Sequence, residues 1–234
     1  MKRILMPTKG PGSWAPLLAD PLLHWKRGRS AMCLAAAWES AHPQPPPEVV
    51  DALQASGIAD FDNLQIVAAI PEFSTALPGG ATSSQTDLMV LARNEASNVV
   101  IAVEGKVDET FGPTLGEKRA DASDGQVERL SFLHRRLGLS VPLPNGVRYQ
   151  LLHRAVAAVL FGAEVHARAA VVLVHSFDDG NAWFGDFAEF ARHVGSESRM
   201  GAIVRTSLST DVPLYLGWVT GDKRFTSVDI PAAV

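Results

Sequence analysis

The segment Val99-Val-Ile-Ala-Val103-Glu104-Gly105-Lys106 limits this chain more than any other. Its first half is an unbroken apolar run rich in β-branched residues, which predicts a strand covered on both faces, as in the middle of a sheet packed by helices. Glu104 and Lys106 follow directly. Side chains alternate along a strand, so these two project from one face while Gly105 lies on the other. A carboxylate and an ammonium at the end of a buried strand are costly unless they pair or bind something.

The preceding run, Asp87-Leu-Met-Val-Leu-Ala-Arg93, also has strand length, and the polar link Asn94 to Asn98 joins the two in the pattern of a β-hairpin. With Leu88–Arg93 set against Val99–Glu104, Asp87 comes to the same end of the sheet as Glu104 and Lys106. Two carboxylates can hold Mg²⁺ or Mn²⁺ through hard oxygens while leaving positions open for water and phosphate. Such an ion polarises a phosphodiester and acidifies water, and a nearby lysine orients that water or offsets charge in the transition state. A glycine at 105 would let its carbonyl approach the ion closely.

Asp87 followed by Glu104-Gly105-Lys106 resembles the signature of the PD-(D/E)xK phosphodiesterase superfamily. The wording Val-Glu-Gly-Lys-Val-Asp-Glu and Arg-Tyr-Gln-Leu-Leu-His-Arg looks like a bacterial family within it. This resemblance covers most of the chain and brings no established activity. It implies a restriction-endonuclease-like fold and a metal-dependent nuclease, with Asp87, Glu104 and the Gly105 carbonyl on the ion and Lys106 on the attacking water. It also implies a glutamate from the helix before the sheet, for which Glu39 is the match, and a glutamine from a later helix, Gln126 or Gln150. The turn Leu77-Pro-Gly-Gly80 offers a second carboxylate, because a hairpin centred there sets Glu72 opposite Asp87. Only one of Glu39 and Glu72 is needed, and the resemblance alone favours Glu39.

The rest of the chain reads as alternating elements. Helices are predicted over 31–41, 48–56, from Gln126 onward, over 147–162 and over 183–193. Strands are predicted at Leu64–Phe73, Asp87–Arg93, Val99–Lys106, Arg168–Phe177 and Val212–Val219, with Ser30 as an N-cap and a glycine-containing loop from Phe111 to Gly125. The expected architecture is α/β, a mixed sheet of about five strands, with the 126–162 helices on one face and the 182–193 helix on the other. One nuclease-like domain is expected over residues 1–225, with a C-terminal tail at 226–234 and an exposed end from about Gly221.

With 234 residues of which 47% are hydrophobic, the chain can bury one full core. A net charge of −4 gives no global nucleic-acid footprint, so that reading rests on local charge. Between Glu117 and Arg154 seven basic residues stand against four acidic ones. Arg129 and Arg154, with Gln126 and Gln150, are therefore the expected substrate contacts, and nucleic acid the expected partner. The single cysteine, Cys33, excludes an internal disulfide, reads as a small core residue and fits a reducing cytoplasm. No apolar run is long enough for a membrane span, and the basic start at residues 1–7 lacks the apolar region of a signal peptide. Histidines without metal spacing, no Gly-x-Ser-x-Gly elbow and no P-loop ending weigh against other hydrolases.

These features make a Mg²⁺-dependent nuclease the leading expectation, with a homodimer as its assembly. The alternative keeps the nuclease-like fold as a non-catalytic binding or regulatory module, its acidic and basic residues forming an ion-pair network. A hydrolase of small phosphoesters would share the metal site without using the basic helices.

Overall fold

The computed structural model describes residues 8–233, so the basic start at 1–7 lies outside it, as does Val234. The helices are α1 (Pro21–His24), α2 (Ser30–Ala41), α3 (Pro47–Ala55), α4 (Leu115–Ala120), α5 (Asp124–Arg136), α6 (Tyr149–Glu164) and α7 (Phe184–His193). The strands are β1 (Gln65–Thr75), β2 (Ser84–Arg93), β3 (Asn98–Lys106), β4 (Ala169–Ser176), β5 (Ala202–Arg205) and β6 (Leu214–Thr220). They form one mixed sheet in the order β1-β2-β3-β4-β6-β5. The first three run as an antiparallel meander, β3, β4 and β6 are parallel neighbours, and β5 closes the far edge antiparallel to β6.

The α/β architecture with a helix-flanked mixed sheet is the one expected, with six strands rather than five. The additional strand, Ala202–Arg205, is an edge strand of four residues, too short for its Ala-Ile-Val to stand out as a strand in the sequence. A second element unseen in the sequence is α4, inside what reads as a loop. It is held by a capping box in which Thr114 and Glu117 satisfy each other's backbone donors.

One core lies between the sheet and α5, α6 and α7, and the other between the sheet and α2, α3 and the flanking 3₁₀ turns. The expectation that the 182–193 helix covers the opposite face from the 126–162 pair is therefore wrong. The parallel strands advance in one direction, β3 to β4 to β6, and crossovers of one hand taken in one direction return on the same face. Phe187 and Phe190 of α7 accordingly join Val156 and Val159 of α6 in the same core. The opposite face is filled from the N-terminal third of the chain, including the alanine-rich α2.

Ser30 is the first helical residue of α2 rather than its cap. Glu109, just past β3, accepts from both the Ser30 N–H and its hydroxyl, at 3.0 and 3.1 Å, and supplies the capping function from across the fold. Cys33 is buried, and burial, with the nearby charge of Glu109, pushes its thiol up to about 12, as suits an inert core residue. The expected exposed end also packs back. Phe225 is buried, Trp25 Nε1 donates to the Ile230 carbonyl at 2.8 Å, and the Ala233 N–H donates to the Gly12 carbonyl at 2.9 Å.

Two hairpin registers position the site. In β1–β2, Pro71 pairs with Leu88 and Phe73 with Thr86, so Glu72 lies across from Asp87, as the Gly79-Gly80 turn predicts. In β2–β3, Arg93 pairs with Asn98 and Leu88 with Val103, one residue away from the register expected from sequence. Asn94 is the reason. Its side-chain oxygen accepts from Ala96 N–H and Ser97 N–H, and its amide nitrogen donates to carbonyls of Ala59, Asp60 and Asp62, which draws the link in to four residues. A shift of one residue exchanges the faces of a strand, and here it carries Asp87 across from Glu104 instead of Gly105.

Candidate active site

β2 and β3 stay paired only as far as Leu88 and Val103, whereas β3 continues along β4 to Lys106. In the fork where β2 parts from β3, Asp87 Oδ2 accepts from the Gly105 N–H at 3.0 Å, in place of a ladder bond. Lys106, the next residue, turns its carbonyl toward β4 and accepts from Phe177 N–H. Gly105 therefore directs its backbone groups to the fork, since successive strand residues face opposite neighbours.

Below the fork lies a packed charge cluster. Arg154 of α6 donates from Nε to Glu104 Oε2 at 2.6 Å and reaches Asp87 Oδ1 at 3.4 Å. Lys106 Nζ donates to Glu104 Oε1 at 2.8 Å and to Gln150 Oε1 at 3.3 Å, and lies 4.8 Å from the centre of the Phe111 ring. Gln150 returns a bond from Nε2 to Glu104 Oε1 at 2.7 Å. Exposures of 3% for the Glu104 side chain and 6% for those of Lys106 and Arg154 leave these charges almost without water, so each depends on the others. Asp87, at 24%, is the opening to solvent.

The cluster holds three acids, Glu72, Asp87 and Glu104, against two bases. Burial works against the charge on Glu104, but Arg154 and Lys106 outweigh it and hold that carboxyl down to about 2. The other two acids lack such support. Burial, then the charge of Glu104, pushes Asp87 up to about 7, against the pull of Arg154 and Lys106. Burial, then the charge of Asp87, pushes Glu72 up to about 8. Glu72 also sits in the left-handed backbone region, with φ of 50°. A glutamate pays strain there that glycine or asparagine would not, and such strain concentrates at sites whose geometry matters.

The donor chemistry fits a divalent cation in kind. Glu104 Oε1 is filled by Lys106 and Gln150, but Oε2 has one bonded partner, Asp87 Oδ1 has only the long contact to Arg154, and Glu72 is the third carboxylate facing the cluster. Among the described residues, no group of three His, Cys, Asp or Glu side chains is already gathered in ligating geometry. Arg154 stands between the two nearest acids.

Of the residues expected here, Asp87, Glu104, Gly105, Lys106, Gln150, Arg154 and the second-choice Glu72 are brought together. Glu39 is not: α2 packs on the other face, and the Glu39 carboxylate accepts from Trp14 Nε1 at 2.8 Å. Gly105 is not required for close approach of an ion, because a Cβ there would point at Leu34 and the Ser30 carbonyl at 3.4 Å. Gln126 caps α5, its side chain accepting from the Ser123 N–H at 2.9 Å. Arg129 clamps the β1–β2 turn through the carbonyls of Pro78 and Thr82, at 2.9 and 2.7 Å. Ser84 and His153, joined at 2.7 Å beside Arg154, complete the surroundings. No local pattern announces that pair, since 69 positions separate its members.

A family model described as a domain of unknown function (DUF6946) matches residues 7–223. No curated protein and no solved structure matches the chain.

Proposed function

The chain belongs to the DUF6946 family, and because that description carries no activity we propose one from the site alone: a divalent-cation-dependent phosphodiesterase that hydrolyses nucleic acid. The observation that carries it is the fork at Asp87 and Glu104, where three acids face two bases and one negative charge is left without a partner. A proton answers that demand at low pH, and a hard cation answers it better at neutral pH.

Asp87, Glu104 and the Gly105 carbonyl would hold Mg²⁺ or Mn²⁺, with Glu72 rather than Glu39 as the assisting carboxylate. The ion, when bound, supplies Lewis-acid polarisation of the phosphodiester and acidification of water. Lys106 keeps its ammonium at the Glu104 carboxylate, where it orients the attacking water and offsets developing charge. Gln150, bonded to both Lys106 and Glu104, fixes their relative position. Arg154 neutralises the acids in the resting site and is free to turn to a substrate phosphate when a cation takes its place.

One observation favours a second reading. Glu104 is paired by Arg154 at 2.6 Å and by Lys106 at 2.8 Å, a closed network that a non-catalytic binding or regulatory module could keep for rigidity alone. Thermal unfolding with Mn²⁺ separates the two. The nuclease reading predicts a rise in melting temperature with Mn²⁺ that Asp87→Asn abolishes, because a ligand bound only by the native state stabilises it. No rise up to millimolar Mn²⁺ supports the module.

A further inference from the structure

Beyond Arg154, on the side away from Glu104, opens a cavity of about 370 Å³, bounded by the β1–β2 turn and by α4, α5 and α6. This is within the range of small-ligand sites, about 300–1,000 Å³. Among the described residues no carboxylate lines it, while Lys118, Arg129, Arg154 and His153 do. Lys118 has no ion pair among the described residues and sits 5.4 Å from the centre of the Tyr149 ring. Among the described residues the hydrogen bonds of Arg129 go to neutral oxygens of the turn and of Tyr149, and its charge has no carboxylate partner there.

His153 adds a donor. The Arg154 guanidinium can only donate, and it does so to Ser84 Oγ at 3.2 Å. Arg154 Nη1 also reaches His153 Nδ1, at 3.4 Å, and a nitrogen facing a guanidinium must accept, so Nδ1 is the acceptor, the Ser84 hydroxyl 2.7 Å away donates to it, and the proton of a neutral ring lies on Nε2. That Nε2–H has no partner among the described residues. Burial, then the charge of Arg154, holds the imidazole well below its usual range, so it stays neutral and keeps this tautomer. The imidazole ring lies 4.8 Å from Tyr149, the ring that Lys118 also approaches, so both donors stand at one wall.

We infer that this cavity binds a phosphomonoester, either of a free nucleotide or of the phosphorylated end of a nucleic-acid strand. Such a group carries about −1.5 to −2 charge and three strong acceptor oxygens, against one charge for an internal phosphodiester. Unpaired Lys118, the carbonyl-held Arg129 and the His153 Nε2–H match it in charge and in donors. Arg154 is shared between the cavity and the acid cluster, so a strand anchored by its end would lay its first linkages toward Asp87. What is cut there rests on the phosphodiesterase reading; the binding does not.

The test is binding in EDTA, read by fluorescence anisotropy on single-stranded oligonucleotides of one sequence with a phosphate or a hydroxyl at the 5′ or 3′ end. A nucleoside monophosphate and its nucleoside serve as competitors. A phosphate on either end, or on the free nucleotide, is expected to improve affinity at least tenfold, and Lys118→Ala to remove most of that gain. Preference for the strand end or for the mononucleotide identifies which of the two sources is the ligand. Equal affinity with and without phosphate for all probes overturns the inference, as does a preference that Lys118→Ala leaves intact. Cleavage with Mn²⁺ that ignores end phosphorylation would remove this cavity's role and leave the phosphodiesterase reading standing.

Discussion

Arg154 Nε lies 2.6 Å from Glu104 Oε2, and the two side chains are nearly water-free. Because each is the other's main counter-charge, removing Arg154 leaves Glu104 with Lys106 alone in a cluster of three acids. Arg154→Ala should cost about 3–5 kcal/mol of stability, measured by urea unfolding. The triple variant Arg154→Met/Glu104→Leu/Lys106→Met, which removes the paired charges together, should recover most of that loss. A triple variant as unstable as the single one would contradict this pairing.

The raised acids set an unusual pH dependence. Glu72 and Asp87 bind protons more tightly folded, at about 8 and about 7, than at their ordinary carboxyl values. Their favourable contribution is complete below the ordinary carboxyl range and is lost as pH rises through the folded values. The native state holds more protons than the unfolded chain in that window, so stability falls with rising pH. Metal-free protein should lose stability from pH 5 toward pH 8, and Glu72→Gln should flatten the decline. Chemical unfolding across that window measures it.

Glu39 and Glu72 separate cleanly by substitution. Glu39→Gln alters a bond to Trp14 on the far face and should leave metal-dependent cleavage unchanged, with a stability loss of about 1 kcal/mol or less. Glu72→Gln should lower cleavage at least about tenfold, the scale on which groups supporting a metal site act. Rates of both variants under saturating Mn²⁺ decide the matter.

The β1–β2 turn is fitted to α5 through two glycines. A Cβ on Gly79, which has φ of 77°, would lie 1.9 Å from the Gly125 carbonyl oxygen. Gly79→Ala therefore adds a backbone clash to left-handed strain and should destabilise by at least about 2 kcal/mol. It should also disturb the cavity beneath the turn. Thermal unfolding and the end-phosphate preference report the two effects.

The sequence announces this site where its logic is local and misleads where distant packing decides. Asp87, Glu104 and Lys106 are legible because an apolar strand cannot end in charges without a reason, and Glu72 follows from counting back through the Gly79-Gly80 turn. The one-residue difference between the expected and observed β2–β3 registers comes from Asn94, whose six side-chain hydrogen bonds to residues 59–62 and to its own turn have no local signature. Arg154 reads as a substrate contact within a basic stretch, and only the packing of α6 against β3 turns it inward onto Glu104. Glu39 illustrates the opposite failure, a role transferred by resemblance to a helix that packs on the wrong face. The face taken by the 182–193 helix is not legible locally, because crossover direction, which sets it, depends on strand order.

The central claim is that Asp87, Glu104 and Lys106 form a cation-dependent phosphodiesterase. The most direct measurement is cleavage of single- and double-stranded DNA and RNA by purified protein with Mn²⁺, Mg²⁺ or EDTA, beside Lys106→Ala. The account predicts product only with a divalent cation, and a loss of at least about a hundredfold in Lys106→Ala, the scale of one electrostatic catalytic group. Absence of cleavage with either cation, or cleavage that Lys106→Ala does not diminish, would contradict it.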